Sequence, residues 1–147
     1  IDNKYGDFTE FLEKSKRASR EGFGAGSVVY LRSVFESVIK QVGATENISD
    51  TFVDKNGKTQ HKSTERYLKE VNEKRNIIPA EFSNDGYRLF RELSGVVHGN
   101  CSEKEALLKF NAFYRLVTGV LEKIKTNQEL MEAIGTLGWN TGGDEDE

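Results

Sequence analysis

Three polar side chains in one predicted helix have the types and the spacing that phosphate chemistry requires. Arg91 and His98 are separated by six residues, and Ser94 lies between them. Because each helical residue advances by about 100°, seven steps bring the two side chains to within roughly 20° of each other. Ser94 belongs to the same stripe, since residues three and four apart share a helix face. The spacing therefore predicts one polar face that carries a cation, a hydroxyl and an imidazole.

This combination suits the cleavage of RNA without a metal ion, with the ribose 2′-hydroxyl as nucleophile. An imidazole moves protons near neutral pH, and a planar guanidinium binds phosphate oxygens and stabilises the charge that develops on them. We expect His98 to be the general acid or base, Arg91 the phosphate ligand, and Ser94 the residue that orients one of them. One copy lacks a second proton-transfer group, which a homodimer with two such helices face to face would supply.

The same residues also have an ordinary structural interpretation. A histidine directly before a glycine at a helix end commonly caps the last carbonyl groups and interacts with the helix dipole. His98 precedes Gly99 in this way, and Arg91 can pair with Glu92 or with another surface acid. Spacing alone leaves both interpretations open.

The segment 87–99, YRLFRELSGVVHG, resembles the motif of the HEPN (higher eukaryotes and prokaryotes nucleotide-binding) superfamily. The signature of that family is an arginine, four to six variable residues and a histidine near the end of a long helix in a helical bundle. Arg91 and His98 match it at the upper limit of the spacing. The segment 24–36, GAGSVVYLRSVFE, is similar to a helix of uncharacterised bacterial relatives, including abortive-infection-type domains, so the resemblance covers about residues 7–125.

The resemblance implies a function directed at RNA. Many HEPN domains are dimeric, metal-independent ribonucleases of toxin–antitoxin, abortive-infection and other anti-phage systems, whereas others are non-catalytic RNA-binding or assembly modules. We therefore expect a dimeric endoribonuclease of bacterial defence. The alternative is a non-catalytic dimerisation, interaction or RNA-binding module of a larger protein. Catalytic members often carry Asn, Asp or His after the arginine, where this chain has Glu92.

The elements that must position this stripe are helices, because apolar residues recur mainly at steps of three and four. We expect helices over about 7–21, 27–42, 63–75, 83–98 and 103–125, with Asp7 as the first cap and Gly43 as a helix stop. Ser102 and Glu105 form the pattern of a capping box. The expected fold is an all-α antiparallel bundle of five to six helices.

Two segments depart from the helical bundle pattern. Residues 51–62 contain Asn56-Gly57 and indicate either a small β-hairpin or an ordered loop, in which His61 belongs to an exposed polar run. Residues 1–126 are expected to form the bundle, residues 127–138 a short terminal helix packed on or beside it, and residues 139–147 an acidic, disordered tail.

The composition, 36% apolar and 31% charged, is typical of a water-soluble globular protein. No apolar run approaches the roughly 18 to 20 residues of a membrane span, so no membrane partner is expected. Residues 144–147 supply four of the 24 acidic residues, and without them 20 acidic residues face 21 basic ones. The near-neutral remainder neither requires nor excludes RNA as a partner.

The cysteine and histidine content argues against a bound metal or other cofactor. Cys101 is the single cysteine, which cannot form an internal disulfide, so we expect a cytoplasmic location. Two histidines and one cysteine, without clustered acids, do not make a zinc site. Because the chain begins at Ile1 without an initiator Met or a signal-peptide pattern, we expect a piece of a larger protein with another domain or protein partner.

Overall fold

A computed structural model describes residues 5–82, 88–99 and 101–139 of the chain. Within these ranges the protein is mostly helical, with five α-helices and one two-stranded antiparallel sheet. In chain order the elements are α1 (Thr9–Arg20), α2 (Gly24–Thr45), β1 (Thr51–Val53), β2 (Thr59–His61), α3 (Thr64–Lys74), α4 (Arg88–Val97) and α5 (Glu103–Thr136), with 3-10 turns at Gly6–Phe8 and Ala80–Phe82. The helical character is confirmed, and residues 51–62 form the hairpin and not the loop. The predicted start of α4, including Tyr87, and nearly all of the predicted tail lie outside the described residues.

The long helix α2 is the centre of the fold, because α1, α3, α4 and α5 all pack against it. Its sequence is rich in Val, Leu, Ile and Phe, and two apolar faces of the helix are buried as a result. The first turns of α2 and α5 meet where Gly24 lies against Glu103 and Ala106. Further along, Val42 of α2 and Ile124 of α5 line one pocket, so the two helices run in the same direction.

A tight turn between Arg20 and Gly24 folds α1 back along α2. Gly22 adopts a φ of +87°, which favours glycine, and the N–H of Phe23 donates to the carbonyl of Ala18 at 2.9 Å. The rings of Phe11 and Tyr30 then lie with their centroids 6.2 Å apart, so the two helices are antiparallel.

The hairpin formed by β1 and β2 pairs Thr51 with His61 and Val53 with Thr59. Asp54 fixes the turn, since its carboxylate accepts the backbone N–H groups of Asn56 and Lys58, each at 2.9 Å. The hairpin is anchored to α3 because the guanidinium of Arg66 lies 4.2 Å from the centroid of the Phe52 ring.

Two predicted helix ends are wrong. Gly43 does not stop α2, which continues to Thr45. The glycine is needed for packing, since a Cβ at this position would overlap the phenol ring of Tyr67 on α3. Asp7 does not cap α1 either; it lies in the preceding 3-10 turn, and α1 starts at Thr9 without a side-chain cap.

The predicted break between residues 125 and 128 is also wrong, because α5 is continuous from Glu103 to Thr136. The segment Thr126-Asn127-Gln128 contains neither proline nor glycine, and the side chain of Asn127 donates to the carbonyl of Asn76 at 3.1 Å. An outside partner for this amide removes its competition with the helix backbone. The predicted capping box at the start of α5 is confirmed, with Ser102 and Glu105 exchanging both bonds.

None of the helices in the described ranges combines the length and the apolar character that crossing a bilayer requires.

Candidate functional site

Helix α4 presents the predicted stripe on its outer side because its other side is apolar. Leu89, Phe90, Leu93 and Val96 are buried against the core. Arg91 and His98 are exposed and Ser94 is half-buried between them. Seven residues of helix separate the cation from the imidazole by a rise of about 10 Å. Arg91 and Ser94 thus lie in α4, and His98 follows the last residue of that helix.

Arg91 is engaged by a carboxylate from another helix. Its Nε donates to Oε1 of Glu65 at 2.9 Å, and its Nη2 to Oε2 at 3.4 Å. The two side chains are 50% and 35% exposed, so the contact lies at the surface, where an ion pair contributes little net stability. The predicted ion-pair interpretation of Arg91 therefore holds, although the acid is Glu65 of α3 and not the adjacent Glu92.

The pKa of Glu65 lies below its usual value, mainly because Arg91 donates to the carboxylate, with smaller contributions from the charges of Arg91 and Lys69. Glu65 is thus ionised at neutral pH and holds the guanidinium through a charge-assisted, two-point contact.

Ser94 belongs to a second polar network that reaches α2. Its hydroxyl accepts a hydrogen bond from Nε of Arg32 at 3.1 Å. The same guanidinium lies 3.2 Å from Glu36 and 5.4 Å from the centroid of the Phe90 ring. Thr64 at the start of α3 donates to Glu36 at 3.1 Å. These contacts fix Ser94 in place and join α2, α3 and α4 beneath Arg91.

His98 directly follows the last residue of α4. Its backbone N–H donates to the carbonyl of Ser94 at 2.9 Å, and Gly99 follows with a φ of +81° and donates to Val96 at 3.0 Å. This is the left-handed glycine ending that the His-Gly pair predicts. The imidazole is exposed and makes no hydrogen bond within the described part of the chain, so it does not cap a carbonyl there.

The sequence analysis did not identify Glu65, Arg32 or Glu36 as neighbours of the stripe. Arg32 and Glu36 carried a usable signal, since they are an i, i+4 pair of opposite charge that interrupts an apolar helix. Glu65 carried none, because it lies 26 residues from Arg91 and meets it only when α3 packs beside α4.

Arg91 and His98 of the stripe are exposed. A cavity of about 310 Å³ lies away from them, where the C-terminal part of α2 meets the middle of α5, and is lined by Tyr5, Val38, Arg75, Leu121 and Lys125. Across residues 5–82, 88–99 and 101–139, no three His, Cys, Asp or Glu side chains cluster so as to hold a metal ion.

In comparisons with known proteins, no protein-family model, curated protein or solved structure matches this chain.

Proposed function

We propose that this chain is a HEPN-like domain that acts on RNA, as a homodimeric, metal-independent endoribonuclease of a bacterial defence or toxin–antitoxin system. Arg91 and His98 are the catalytic pair, and Ser94 is the residue that orients one of them. A cytoplasmic location is part of the same proposal. The expected antiparallel arrangement does not extend to α5, whose first turn lies against the first turn of α2, so these two helices run in the same direction.

One observation carries the proposal: Arg91 on α4 and His98 directly after α4 are both exposed, at a spacing of two helical turns. A folded protein gains nothing in packing from an exposed imidazole beside an exposed guanidinium, whereas a polyanionic substrate requires such access. The apolar side of α4, in contrast, is fully used by the core.

The reaction proceeds through the ribose 2′-hydroxyl. A base removes its proton, the 2′-oxygen forms a bond to phosphorus, and the bond from phosphorus to the 5′-oxygen breaks. The products are a 2′,3′-cyclic phosphate and a 5′-hydroxyl, which receives its proton from an acid. The imidazole of His98 serves one of these two proton transfers, and His98 of a second copy serves the other. Arg91 holds the non-bridging oxygens and stabilises their added charge.

RNA must displace Glu65 before Arg91 can hold a phosphate. The displacement is inexpensive, because an exposed ion pair contributes only about 0–1 kcal/mol. A phosphate offers the guanidinium the same two-point geometry as the carboxylate that it replaces.

The alternative is a non-catalytic interaction or RNA-binding module of a larger protein. The contacts of the polar stripe favour it, since Glu65 contacts Arg91 and Arg32 contacts Ser94, as in an ordinary interhelical network. On this alternative the stripe joins α2, α3 and α4, and His98 is an exposed residue at a helix end.

The test is cleavage of cellular RNA by the purified protein in excess EDTA. We expect cleavage by the wild-type protein that His98→Ala and Arg91→Ala reduce by a factor of about 100 or more, the usual contribution of a general acid or base. The cleaved ends should carry a 2′,3′-cyclic phosphate, which a phosphatase that is specific for linear phosphates leaves in place.

The chain offers a matched control for each variant. His61→Ala removes the exposed histidine of the hairpin, and Arg88→Ala removes an exposed arginine of the same helix that pairs with Glu92 at 3.1 Å. Both controls should cleave RNA like the wild type. If the folded wild-type protein leaves a panel of RNA preparations intact, the nuclease proposal is wrong and the interaction module remains.

A further inference from the structure

A second surface combines exposed aromatic rings with cations, on the side of the fold where α1 packs against α2. We name it the aromatic groove and define it by Phe11, Lys14 and Arg17 of α1 together with Phe23 and Tyr30. Phe23 precedes the first residue of α2, and Tyr30 lies two turns into that helix.

The rings of the aromatic groove are unusually accessible for large apolar groups. Phe23 is 57% exposed and Phe11 is 42% exposed, while Tyr30 is half-buried. The rings of Phe11 and Tyr30 contact each other at a centroid distance of 6.2 Å. These residues therefore make a continuous aromatic surface, which marks an interaction site more often than chance exposure does.

Between Phe23 and Tyr30 the surface contains a cavity of about 220 Å³, which Lys14, Arg17, Ala18 and Glu21 also line. The volume is below the roughly 300–1,000 Å³ of pockets for drug-sized ligands, so it suits one planar ring system. The ammonium of Lys14 lies 5.5 Å from the centroid of the Phe11 ring. Arg17 is exposed and makes no ion pair within the described part of the chain.

We propose that the aromatic groove binds single-stranded nucleic acid, with one base stacked between Phe23 and Tyr30 and the adjoining phosphates on Arg17 and Lys14. Exposed rings beside cations are the two components that proteins use to bind single strands with little sequence preference. Lys14 lies 3.8 Å from Glu10, whereas a purely apolar partner would leave Arg17 without a counter-charge. A duplex would keep its bases out of reach of the rings.

The aromatic groove is separate from the stripe on α4. Tyr30 and Arg32 are two residues apart on α2 and therefore project about 160° apart. Tyr30 faces α1, where it meets Phe11, whereas Arg32 faces α4, where it meets Ser94. Binding in the aromatic groove goes beyond the proposed nuclease, since it requires neither Arg91 nor His98.

The test is binding of a fluorescein-labelled, single-stranded DNA of mixed sequence, measured by anisotropy. DNA lacks the 2′-hydroxyl, so its binding is measured independently of RNA cleavage, and a failure of one proposal does not imply a failure of the other. We expect Phe23→Ala and Tyr30→Ala each to raise Kd about five-fold or more, the effect of losing one stacked base. Arg17→Ala should weaken binding and reduce the salt dependence by about 0.7 in the slope of log K against log salt concentration.

Two controls separate stacking from general attraction. Trp139→Ala removes an aromatic side chain that is 64% exposed outside the groove, and Arg20→Ala removes an exposed cation of α1 that does not line the cavity. Both should leave Kd within a factor of two of the wild type. Glu21→Gln removes the carboxylate that lines the cavity and should tighten binding, because it repels phosphate.

Several results overturn the proposal. One is an equal loss of DNA affinity in Arg20→Ala and Phe23→Ala, with unchanged circular dichroism. That result would mean that net charge, and not stacking, accounts for the binding. Another is unchanged DNA binding in Phe23→Ala together with a change from dimer to monomer in analytical ultracentrifugation. That result would assign the aromatic groove to contact between two copies of the chain. A third is the absence of any DNA binding at low salt.

Discussion

The carboxylate of Glu65 and the guanidinium of Arg91 form a two-point contact between α3 and α4, with distances of 2.9 and 3.4 Å. Glu65 is the second residue of α3, which follows the hairpin directly. The position of the hairpin and α3 thus determines whether the carboxylate of Glu65 contacts Arg91. The nuclease requires that RNA displaces Glu65 from Arg91, whereas the interaction module keeps this contact.

Glu65→Gln should strengthen RNA binding if Arg91 is the phosphate ligand. The amide lacks the negative charge that competes with phosphate, and an exposed ion pair is worth up to about 1 kcal/mol, so we expect Kd for RNA to fall by at most about five-fold. The measurement is anisotropy with labelled RNA in the His98→Ala background, which prevents cleavage.

Glu92→Gln is the matched control for this change, since Glu92 pairs with Arg88 of the same helix at 3.1 Å. The Kd of Glu92→Gln for RNA should fall less than that of Glu65→Gln. Weaker RNA binding in Glu65→Gln would instead mean that Glu65 holds Arg91 in the geometry that RNA requires, and competition would be the wrong description.

The local pattern of the sequence predicts most of the helices, because the driving features are local. Ser63 and Ser102 cap α3 and α5 through their own hydroxyl groups, and Ser102 with Glu105 three residues later is recognisable as a capping box. Asn56-Gly57 likewise marks the hairpin turn, where Gly57 adopts a φ of +80°.

The errors arise where a distant residue decides the local structure. Gly43 has the appearance of a helix stop, and only the approach of Tyr67, 24 residues later, gives it a reason to lie within α2. Asn127 likewise stays helical with a partner, Asn76, that is 51 residues away. Neither contact leaves a signal in the sequence near the glycine or the asparagine.

The candidate site divides in the same way. Helix periodicity suffices to predict that Arg91 and Ser94 share a face, because both belong to one short helix, and His98 directly follows it. Their neighbours Glu65 and Arg32 come from other helices, 26 and 62 residues away from the groups that they contact. The contacts that restrain the site are therefore a property of the packed fold.

Gly43→Ala should destabilise the protein by about 1–3 kcal/mol, the usual cost of overpacking. The new methyl group would overlap the ring of Tyr67, whose hydroxyl donates to the carbonyl of Ile48 at 3.1 Å and so resists movement. Urea denaturation measures the change. Gly119→Ala in α5 is the control, because its Cβ meets only the end of the Arg115 side chain at 3.6 Å, and it should be neutral or stabilising by up to about 1 kcal/mol. Equal effects in both variants would show that the Tyr67 contact has no energetic role.

Glu103→Ala should cost about 1 kcal/mol, since Glu103 caps the start of α2 from the start of α5. Its carboxylate accepts the N–H groups of Gly24 at 3.0 Å and Ala25 at 2.7 Å, which have no partner within their own helix. Lys104→Ala, at the next and exposed position, is the control for helix propensity and should change the free energy of unfolding by less than about 0.5 kcal/mol. A loss in Lys104→Ala as large as that in Glu103→Ala would contradict the capping role.

Acid should weaken the fold through Glu70, whose pKa is held below its usual value, first by the hydrogen bond from Lys62 and further by Arg66. The side chain of Lys62 is only 9% exposed, so loss of the carboxylate would leave a poorly solvated cation. Because the folded pKa is the lower one, this stabilisation is complete above the unfolded value near 4.5 and disappears as the pH falls through the folded pKa.

We expect Glu70→Gln to cost about 1–2 kcal/mol at pH 7 in urea denaturation, and the difference from wild type to shrink steadily below about pH 4.5. Glu73→Gln, one turn further on an exposed position, should show neither the cost nor its pH dependence. A difference that stays constant down to pH 3 would mean that Glu70 acts through packing and not through its charge.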